Sequence, residues 1–198
     1  NVSSDKSLSI RFAILASLAN GRSKAYNLLK SEDVLSTLAC LKKLGVKIKL
    51  NKKNCIIEGV GINGYNFKNH TTINAGNSGT AARLLCATLL KSPKKIKITG
   101  DKSLSKRDMK RIIDPLKNFG AKFYPKNKKT LPFYLWGSEN IKAINYKELR
   151  GSAQCKSAVM LGALSAQGTT KLKCKPSRNH TELLFKYLKI PIKVKKKK

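Results

Sequence analysis

Cations recur at regular distances along this chain of 198 residues, each close to a loop of small or polar side chains. Arg11, Arg83 and Lys156 are 72 and 73 residues apart, and each lies just inside the start of an apolar segment. A helix start exposes free N–H groups and the positive end of the helix dipole, so it attracts anions. The spacing therefore predicts three anion-binding helix starts that together form a cationic surface patch.

The loop at residues 74–80 is the most specific of these candidates, because its glycines immediately precede an apolar run. Gly79 allows a ligand to approach the backbone closely. Arg107 and Arg178 come just before two further predicted helices, where a guanidinium group can bind carboxylate or phosphate. A plain turn is the competing interpretation of the loop, and a buried core amide is the competing interpretation of Gln154.

An internal repeat of helices and strands positions these side chains. Three segments align without gaps, and each is predicted to form a helix and then a strand; they are residues 33–48, 108–123 and 179–194. Their predicted N-caps are Asp33, Asp108 and Asn179. The predicted helix ends are at Gly45 and Gly120, with Pro191 in that place in the third copy.

A second set of helices, rich in Ala and Leu, precedes the first set at residues 7–19, 79–90 and 152–166. Strands are predicted between the helices at residues 23–27, 96–99 and 170–174. Hairpin-like pairs follow in two copies, at residues 46–50 with 55–58 and 121–124 with 133–136. The period near 73 residues indicates a pseudo-threefold assembly around one core, with an incomplete third unit.

The formal net charge of +32 at first suggests a nucleic-acid-binding protein. Two observations argue against that interpretation. Only seven of the 42 basic residues are Arg, which is the preferred reader of bases and phosphates. The lysines are also spread along the whole chain. Most of them are therefore interpreted as solvated surface residues, and nucleic acid as an unlikely partner.

Five isolated cysteines and two histidines offer no spacing typical of a zinc site. Single cysteines in apolar surroundings are interpreted as buried, reduced thiols in the cytoplasm. They are Cys40, Cys55, Cys86, Cys155 and Cys174. No apolar run reaches the roughly 18 residues that a membrane-spanning helix needs, and the first residues do not resemble a signal peptide.

Five stretches, in order along nearly the whole chain, resemble motifs of the 5-enolpyruvylshikimate-3-phosphate synthases. Residues 5–11 resemble D-K-S-x-S-x-R, and residues 76–84 resemble G-N-[SA]-G-T-x-x-R. Residues 100–109 are similar to G-D-x-S-L-x-x-R-P-M, with Asp in the place of the usual proline. Residues 152–158 resemble S-A-Q-x-K-S-A, and residues 177–182 resemble S-R-D-H-T-E.

This resemblance implies an α/β (α+β) fold, the inverse α/β prism made of βαβαββ units, in agreement with the repeat. Residues 1–198 are expected to form the first of two domains, and the missing Met and abrupt lysine-rich end favour a fragment without synthase activity. The implied reaction transfers the enolpyruvyl group from phosphoenolpyruvate to the 5-hydroxyl of shikimate 3-phosphate, in the shikimate pathway to aromatic amino acids. No cofactor or metal is implied, and the full-length protein is expected to be a cytoplasmic monomer.

The resemblance also implies roles for individual residues. Those expected to hold shikimate 3-phosphate are Lys6, Ser7, Arg11, Ser152, Ala153, Gln154, Ser177 and Arg178. Those expected to hold phosphoenolpyruvate are Lys6, Asn77, Gly79, Arg107 and Gln154. Lys6 is the expected catalytic residue, which either protonates the enolpyruvyl methylene or stabilises charge as the tetrahedral intermediate forms. Gly79 is expected to leave room for a glyphosate-like inhibitor.

Three alternatives remain open from the sequence. A UDP-N-acetylglucosamine enolpyruvyl transferase shares the fold, although residues 152–154 argue against it. A basic nucleic-acid-binding module is the alternative from another functional class. A non-catalytic remnant is the third alternative, and the sequence is equally compatible with a truncated form of a longer enzyme.

Overall fold

A computed structural model describes residues 4–195, in which helices and strands form three similar units: residues 4–60, 71–136 and 145–195. The helices are α1 (Lys6–Leu18), α2 (Glu32–Lys43), α3 (Gly79–Thr88), α4 (Lys102–Ser105), α5 (Lys110–Asn118), α6 (Ala153–Ala163) and α7 (His180–Tyr187). The strands are β1 (Asn20–Tyr26), β2 (Lys47–Leu50), β3 (Asn54–Val60), β4 (Thr71–Asn74), β5 (Ile96–Thr99), β6 (Lys122–Tyr124), β7 (Phe133–Trp136), β8 (Asn145–Glu148) and β9 (Lys171–Cys174). The predicted α/β fold with a repeated supersecondary unit is confirmed.

Each unit contributes one sheet, with strand orders β1-β3-β2, β4-β5-β7-β6 and β8-β9. The β4–β5 and β8–β9 pairs are parallel, and the remaining pairs are antiparallel. The β8–β9 pair therefore matches β4–β5, so the second and third units begin in the same way. Within the described residues the middle sheet has the full set of four strands, whereas the other two have three and two.

The apolar helices α1, α3 and α6 lie at the centre, where α3 contacts both α1 and α6. Ile10, Ile14, Leu84, Leu85 and Val159 are fully buried in this core. A helix that is apolar on nearly all sides has to be covered on all sides, which explains its central place. By contrast α5 is amphipathic, with Ile and Leu on its inner face and exposed lysine outside. The repeat therefore places the starts of three central helices in comparable environments.

The helix ends are partly as predicted. Gly45 and Gly120 follow α2 and α5 with φ of +89° and +101°, a conformation that glycine adopts without strain. In the third unit the prediction is wrong, because α7 ends earlier and Lys189 takes the left-handed conformation with φ of 56°. Pro191 lies beyond the helix, and residues 192–194 form no strand, since no described strand pairs with them.

One predicted N-cap is confirmed and two are wrong. Asn179 caps α7, without a side-chain hydrogen bond, whereas Ser31 and Met109 occupy the cap positions of α2 and α5. Asp33 lies inside the first turn of α2 and pairs with Lys6, and Asp108 accepts from the N–H of residue 110. Three short elements, α4, β4 and β8, were not predicted from the sequence.

Four of the five cysteines are buried, as expected, whereas Cys174 is exposed at the end of β9. Burial raises the pKa of Cys40 to about 11 and the pKa of Cys86 and Cys155 to about 12. Because the thiolate is the reactive form of cysteine, these buried thiols are protected twice, by their protonation and by their burial. The prediction of a buried thiol is thus wrong at Cys174 alone.

A thiol-reactive chromophore should therefore label one cysteine in the native protein and all five after unfolding in guanidinium. Burial also raises the pKa of Cys174, so its labelling rate should increase as the pH rises above neutrality. Absorbance traces on the native chain and on Cys174→Ser test this. A fast phase that survives in Cys174→Ser would contradict the assignment.

Candidate functional site

All three central helices start with a side-chain cap. The Asp5 carboxylate accepts from Leu8 N at 2.7 Å in α1, whereas Ser78 and Ser152 accept with their hydroxyls in α3 and α6. The predicted helix starts are therefore confirmed, with α1 beginning at Lys6. They differ in charge, because the cap of α1 is itself an anion and the other two caps are neutral.

The cations inside these helices do not form a surface patch, contrary to prediction. Arg11, Arg83 and Lys156 are only 5–6% exposed. The physical reason is that the central helices are covered by neighbouring units, so a side chain one turn in is enclosed. A buried cation has to be paired or hydrogen-bonded, and each of these three meets that requirement differently.

Arg11 is held by three hydroxyl groups. Its Nη1 donates to Ser7 Oγ at 2.6 Å, its Nη2 to Ser157 Oγ at 2.8 Å, and its Nε to Thr181 Oγ1 at 2.8 Å. Burial lowers the pKa of Arg11, and the nearby carboxylates of Glu182 and Asp5 oppose that effect. The guanidinium group thus joins the first unit to the third and fixes the Ser7 hydroxyl.

Arg83 joins the second unit to the third through Gln154. Its Nη1 donates to Gln154 Oε1 at 2.6 Å and its Nη2 to the Asp108 carbonyl at 2.9 Å, while Gln154 Nε2 donates to Thr80 Oγ1 at 2.9 Å. Burial lowers the pKa of Arg83, and the nearby cations Arg111 and Arg107 lower it further. Gln154 is therefore a satisfied, partly buried amide positioned at the start of α6.

Lys156 forms an ion pair with Glu182 at 2.5 Å, which links α6 to α7 inside the third unit. The two side chains are 6% and 15% exposed. Lys156 Nζ also lies 3.5 Å from the carbonyl of Ser177. Within residues 4–195, Glu182 Oε2 and Ser177 Oγ are buried side-chain oxygens that lack a hydrogen-bond partner.

The glycine-rich loop holds a guanidinium group at its outer side. Arg107 Nη2 donates to Asn77 Oδ1 at 2.7 Å, and Asn77 Nδ2 donates to Asp101 Oδ2 at 2.6 Å. Arg107 also reaches Ser103 Oγ at 3.3 Å. Hydrogen bonds from Leu104 N and Asn77 lower the pKa of Asp101. The Asp101 carboxylate, which accepts from Asn77, is therefore kept ionised.

Gly79 is buried at the first position of α3, between two guanidinium groups. A Cβ atom at this position would lie 2.8 Å from Arg83 Nη1 and 3.4 Å from Arg107 Nη1. Glycine is therefore the residue that fits here without moving the Arg83 guanidinium group. The N–H groups of the helix start and two guanidinium groups converge at this position, an arrangement that attracts anions.

The remaining predicted residues lie around the starts of α1, α6 and α7. Lys6 is exposed and pairs with Asp33 Oδ2 at 3.3 Å, and Arg178 is also exposed. Ser152 and Ala153 begin α6, where the buried carboxylate of Glu148 accepts from Ser152 N at 3.0 Å. The contacts thus divide the predicted set into one group around Ser7 and Arg11 and another around Gly79, Arg107 and Gln154.

Several polar residues that form hydrogen bonds with the predicted site residues or with their partners were not singled out from the sequence. They are Thr80, Asp101, Ser103, Ser157, His180 and Thr181. The five motif stretches contain all of them, so their inclusion in those motifs was the available signal. His180 Nδ1 lies 3.1 Å from Ser7 Oγ, a contact between residues that are far apart in sequence.

Comparisons with known proteins all match the same family. A family model described as EPSP synthase (3-phosphoshikimate 1-carboxyvinyltransferase) matches residues 1–198. The 3-phosphoshikimate 1-carboxyvinyltransferase of Streptococcus pyogenes serotype M1 is 44% identical over 183 residues, which cover 91% of this chain and 42% of that protein. Its counterpart from Ruthia magnifica subsp. Calyptogena magnifica is 43% identical over 198 residues, covering 100% of this chain and 45% of that protein.

Among solved structures, an EPSP synthase from Acinetobacter baumannii superposes with a TM-score of 0.91 at 35% sequence identity. The match covers 98% of this chain and 44% of that chain. The chain therefore spans less than half the length of the relatives it matches. No helix within residues 4–195 is long and apolar enough to cross a membrane.

The Lys156–Glu182 pair predicts a large stability effect for a single change. Glu182→Gln leaves a buried ammonium group without its counter-charge, which should lower the free energy of unfolding by about 3 kcal/mol. Urea unfolding followed by circular dichroism measures it. The matched control is Asp114→Asn in the half-exposed Lys110–Asp114 pair, where a change within about 0.5 kcal/mol is expected. Equal losses in the two variants would contradict the prediction.

Proposed function

Because the chain belongs to the EPSP synthase family, we propose that it takes part in enolpyruvyl transfer from phosphoenolpyruvate to the 5-hydroxyl of shikimate 3-phosphate. In this reaction the 5-hydroxyl loses its proton as its oxygen bonds to C2 of phosphoenolpyruvate, and the C2–C3 double bond opens as C3 gains a proton. The tetrahedral intermediate then loses phosphate from C2 and a proton from C3. The observation that carries the proposal is the convergence of the Arg83 and Arg107 guanidinium groups at Gly79, the first residue of α3.

Phosphoenolpyruvate is assigned to the region around α3. Arg107 would pair with its anionic groups, held in place by Asn77, while Gly79 presents the start of α3 and Gln154 lies at the shared boundary. Support for this assignment comes from charge, since two guanidinium groups lie beside the start of α3.

Shikimate 3-phosphate is assigned to the starts of α1, α6 and α7. The proposed ligands are Lys6, Ser7, Arg11, Ser152, Ala153, Gln154, Ser177 and Arg178. Ser177 Oγ supports this assignment, because it is buried without a partner among the described residues and has a free hydrogen-bonding capacity to offer. Arg11 would act mainly through Ser7, whose hydroxyl it holds at 2.6 Å.

Lys6 is proposed as the catalytic residue. Its ammonium group is exposed at the first position of α1 and is paired with Asp33 at 3.3 Å. An ammonium group in this place can donate the proton that C3 of phosphoenolpyruvate gains, or stabilise the charge of the tetrahedral intermediate. The exposed pair is weak enough for a substrate anion to replace Asp33.

We further propose that residues 1–198 supply one half of the active site, as the first domain of a two-domain enzyme with an incomplete third unit. The chain's 42–45% share of its relatives' length supports this, as does the two-stranded β8–β9 sheet beside the four-stranded middle sheet. The free cysteines are consistent with a reducing cytoplasm, where we place the protein as a monomer.

At two aromatic rings of the basic surface, lysine contacts reduce the room for the base stacking that the nucleic-acid alternative would use. Lys97 Nζ lies 5.9 Å from the centre of the Tyr134 ring, and Lys95 Nζ lies 5.1 Å from that of the Trp136 ring.

Binding of shikimate 3-phosphate to the 198-residue chain tests the proposed function. Titration followed by amide NMR should show saturable binding, with the largest shifts at the starts of α1, α6 and α7. Shikimate is the control, because it lacks the phosphate and should bind at least about tenfold more weakly. The chain alone should show no synthase turnover. Absence of binding, or equal binding of shikimate, would contradict the proposal.

Gly79→Ala separates the two ligand groups. The added methyl would lie 2.8 Å from Arg83 Nη1 and 3.4 Å from Arg107 Nη1, so it displaces guanidinium groups and should weaken binding of phosphoenolpyruvate or a glyphosate-like inhibitor by about tenfold or more. Shikimate 3-phosphate should lose less affinity, since Gln154 alone of its proposed ligands is bonded to Arg83. Parallel titrations of the unsubstituted chain and Gly79→Ala measure this, and equal inhibitor affinity of the two would show that Gly79 does not lie at a ligand position.

A further inference from the structure

We propose that His180 is a positioning residue, which donates a hydrogen bond to Ser7 and so directs the Ser7 hydroxyl hydrogen toward shikimate 3-phosphate. This inference rests on the proposed function, because it concerns the same ligand. It adds to that function a residue outside the assigned ligand set and a specific protonation state for it.

His180 and Ser7 meet at the junction of the first and third units. His180 is the first residue of α7 and is half-buried, and Ser7 is the second residue of α1. Their contact, Nδ1 to Oγ at 3.1 Å, joins positions 173 residues apart in sequence. The next residue of α7, Thr181, accepts from Arg11 Nε at 2.8 Å. One turn of α7 therefore contacts both Ser7 and the guanidinium group that binds Ser7.

The Ser7 hydroxyl has a single hydrogen, which limits the hydrogen bonds that it can form at the same time. A serine hydroxyl has one hydrogen to donate and two lone pairs that accept. Arg11 Nη1 occupies one lone pair at 2.6 Å. If His180 Nδ1 is unprotonated, the Ser7 hydrogen points at the imidazole. If Nδ1 carries a hydrogen, it fills the second lone pair, and the Ser7 hydrogen becomes available to a ligand.

An anionic ligand selects the arrangement in which His180 Nδ1 carries a hydrogen and donates it to Ser7. Phosphate and carboxylate oxygens only accept hydrogen bonds, so Ser7 can bind them only by donating its hydrogen. Arg11 cannot take over the role of His180, because its Nη2 and Nε are already bonded to Ser157 and Thr181. Binding of the ligand and protonation of Nδ1 are therefore coupled through one hydroxyl group.

Nitrogen NMR of the chain labelled with ¹⁵N-histidine tests this coupling directly. The chain has two histidines, so His70 is an internal control. His70 immediately precedes β4, and its ring centre lies 5.8 Å from that of Tyr134 in the second unit. On saturation with shikimate 3-phosphate, Nδ1 of His180 should carry a bound hydrogen, whereas the His70 resonances should stay unchanged.

Substitutions give an independent readout. His180→Leu keeps a similar volume but removes the donor, and it should weaken shikimate 3-phosphate binding about tenfold. His180→Asn places an amide N–H near the position of Nδ1 and should recover affinity to within about threefold of the unsubstituted chain. His70→Asn is the matched control, because Asn tolerates the positive φ of 63° at that position. Its affinity should not change.

The outcomes separate the two proposals. Failure of the unsubstituted chain to bind shikimate 3-phosphate would overturn the proposed function and this inference with it. Binding with an unprotonated Nδ1 in the complex, or equal affinity of His180→Leu with an unchanged unfolding midpoint, would overturn the role of His180 alone. Loss of affinity in His180→Leu, with rescue by His180→Asn and a protonated Nδ1, would support it.

Discussion

A cation buried among apolar helices has to find oxygen acceptors, and for Arg11 and Arg83 some of them come from a neighbouring unit. Arg11 takes three hydroxyl groups, two of them from the third unit, and Arg83 takes the amide oxygen of Gln154 from that unit. A guanidinium group left without these partners would carry a large desolvation cost. The relative placement of the three units is therefore tied to the hydrogen-bond geometry of two arginine side chains.

This constraint determines how the candidate ligand groups are supported. Ser7 and Gln154 are each bonded directly to one of the buried arginines, so their orientation follows from the core and not from loop conformation. Arg107 is instead held by Asn77 and Asp101 at the surface. Preorganised polar groups of this kind need little rearrangement when an anion binds, which is the property that electrostatic catalysis depends on.

The sequence predicted the repeat and the central helices, because apolar period is a local property, while the roles of the site residues stay predictions. It did not predict that Arg11 and Lys156 are buried, since spacing reports the position of a residue along a helix but not what covers it. The pairing of Asp33 with Lys6 was not predicted because the two residues are distant in sequence. The contact between His180 and Ser7 escaped prediction for the same reason. Patterns in a short stretch of sequence predict a residue's contacts only where its contact partners are also close in sequence.

The open edges of the sheets carry some of the excess positive charge of the chain. Within the described residues, β1 and β9 each have an edge that no other strand covers. Arg22 and Lys24 lie on β1, and Lys171 and Lys173 lie on β9. Charged side chains on an open strand repel a second strand that approaches with the same charge, so they oppose edge-to-edge aggregation. A chain with open edges and +32 charge is thereby kept colloidally stable at concentrations where a neutral chain with the same edges would associate.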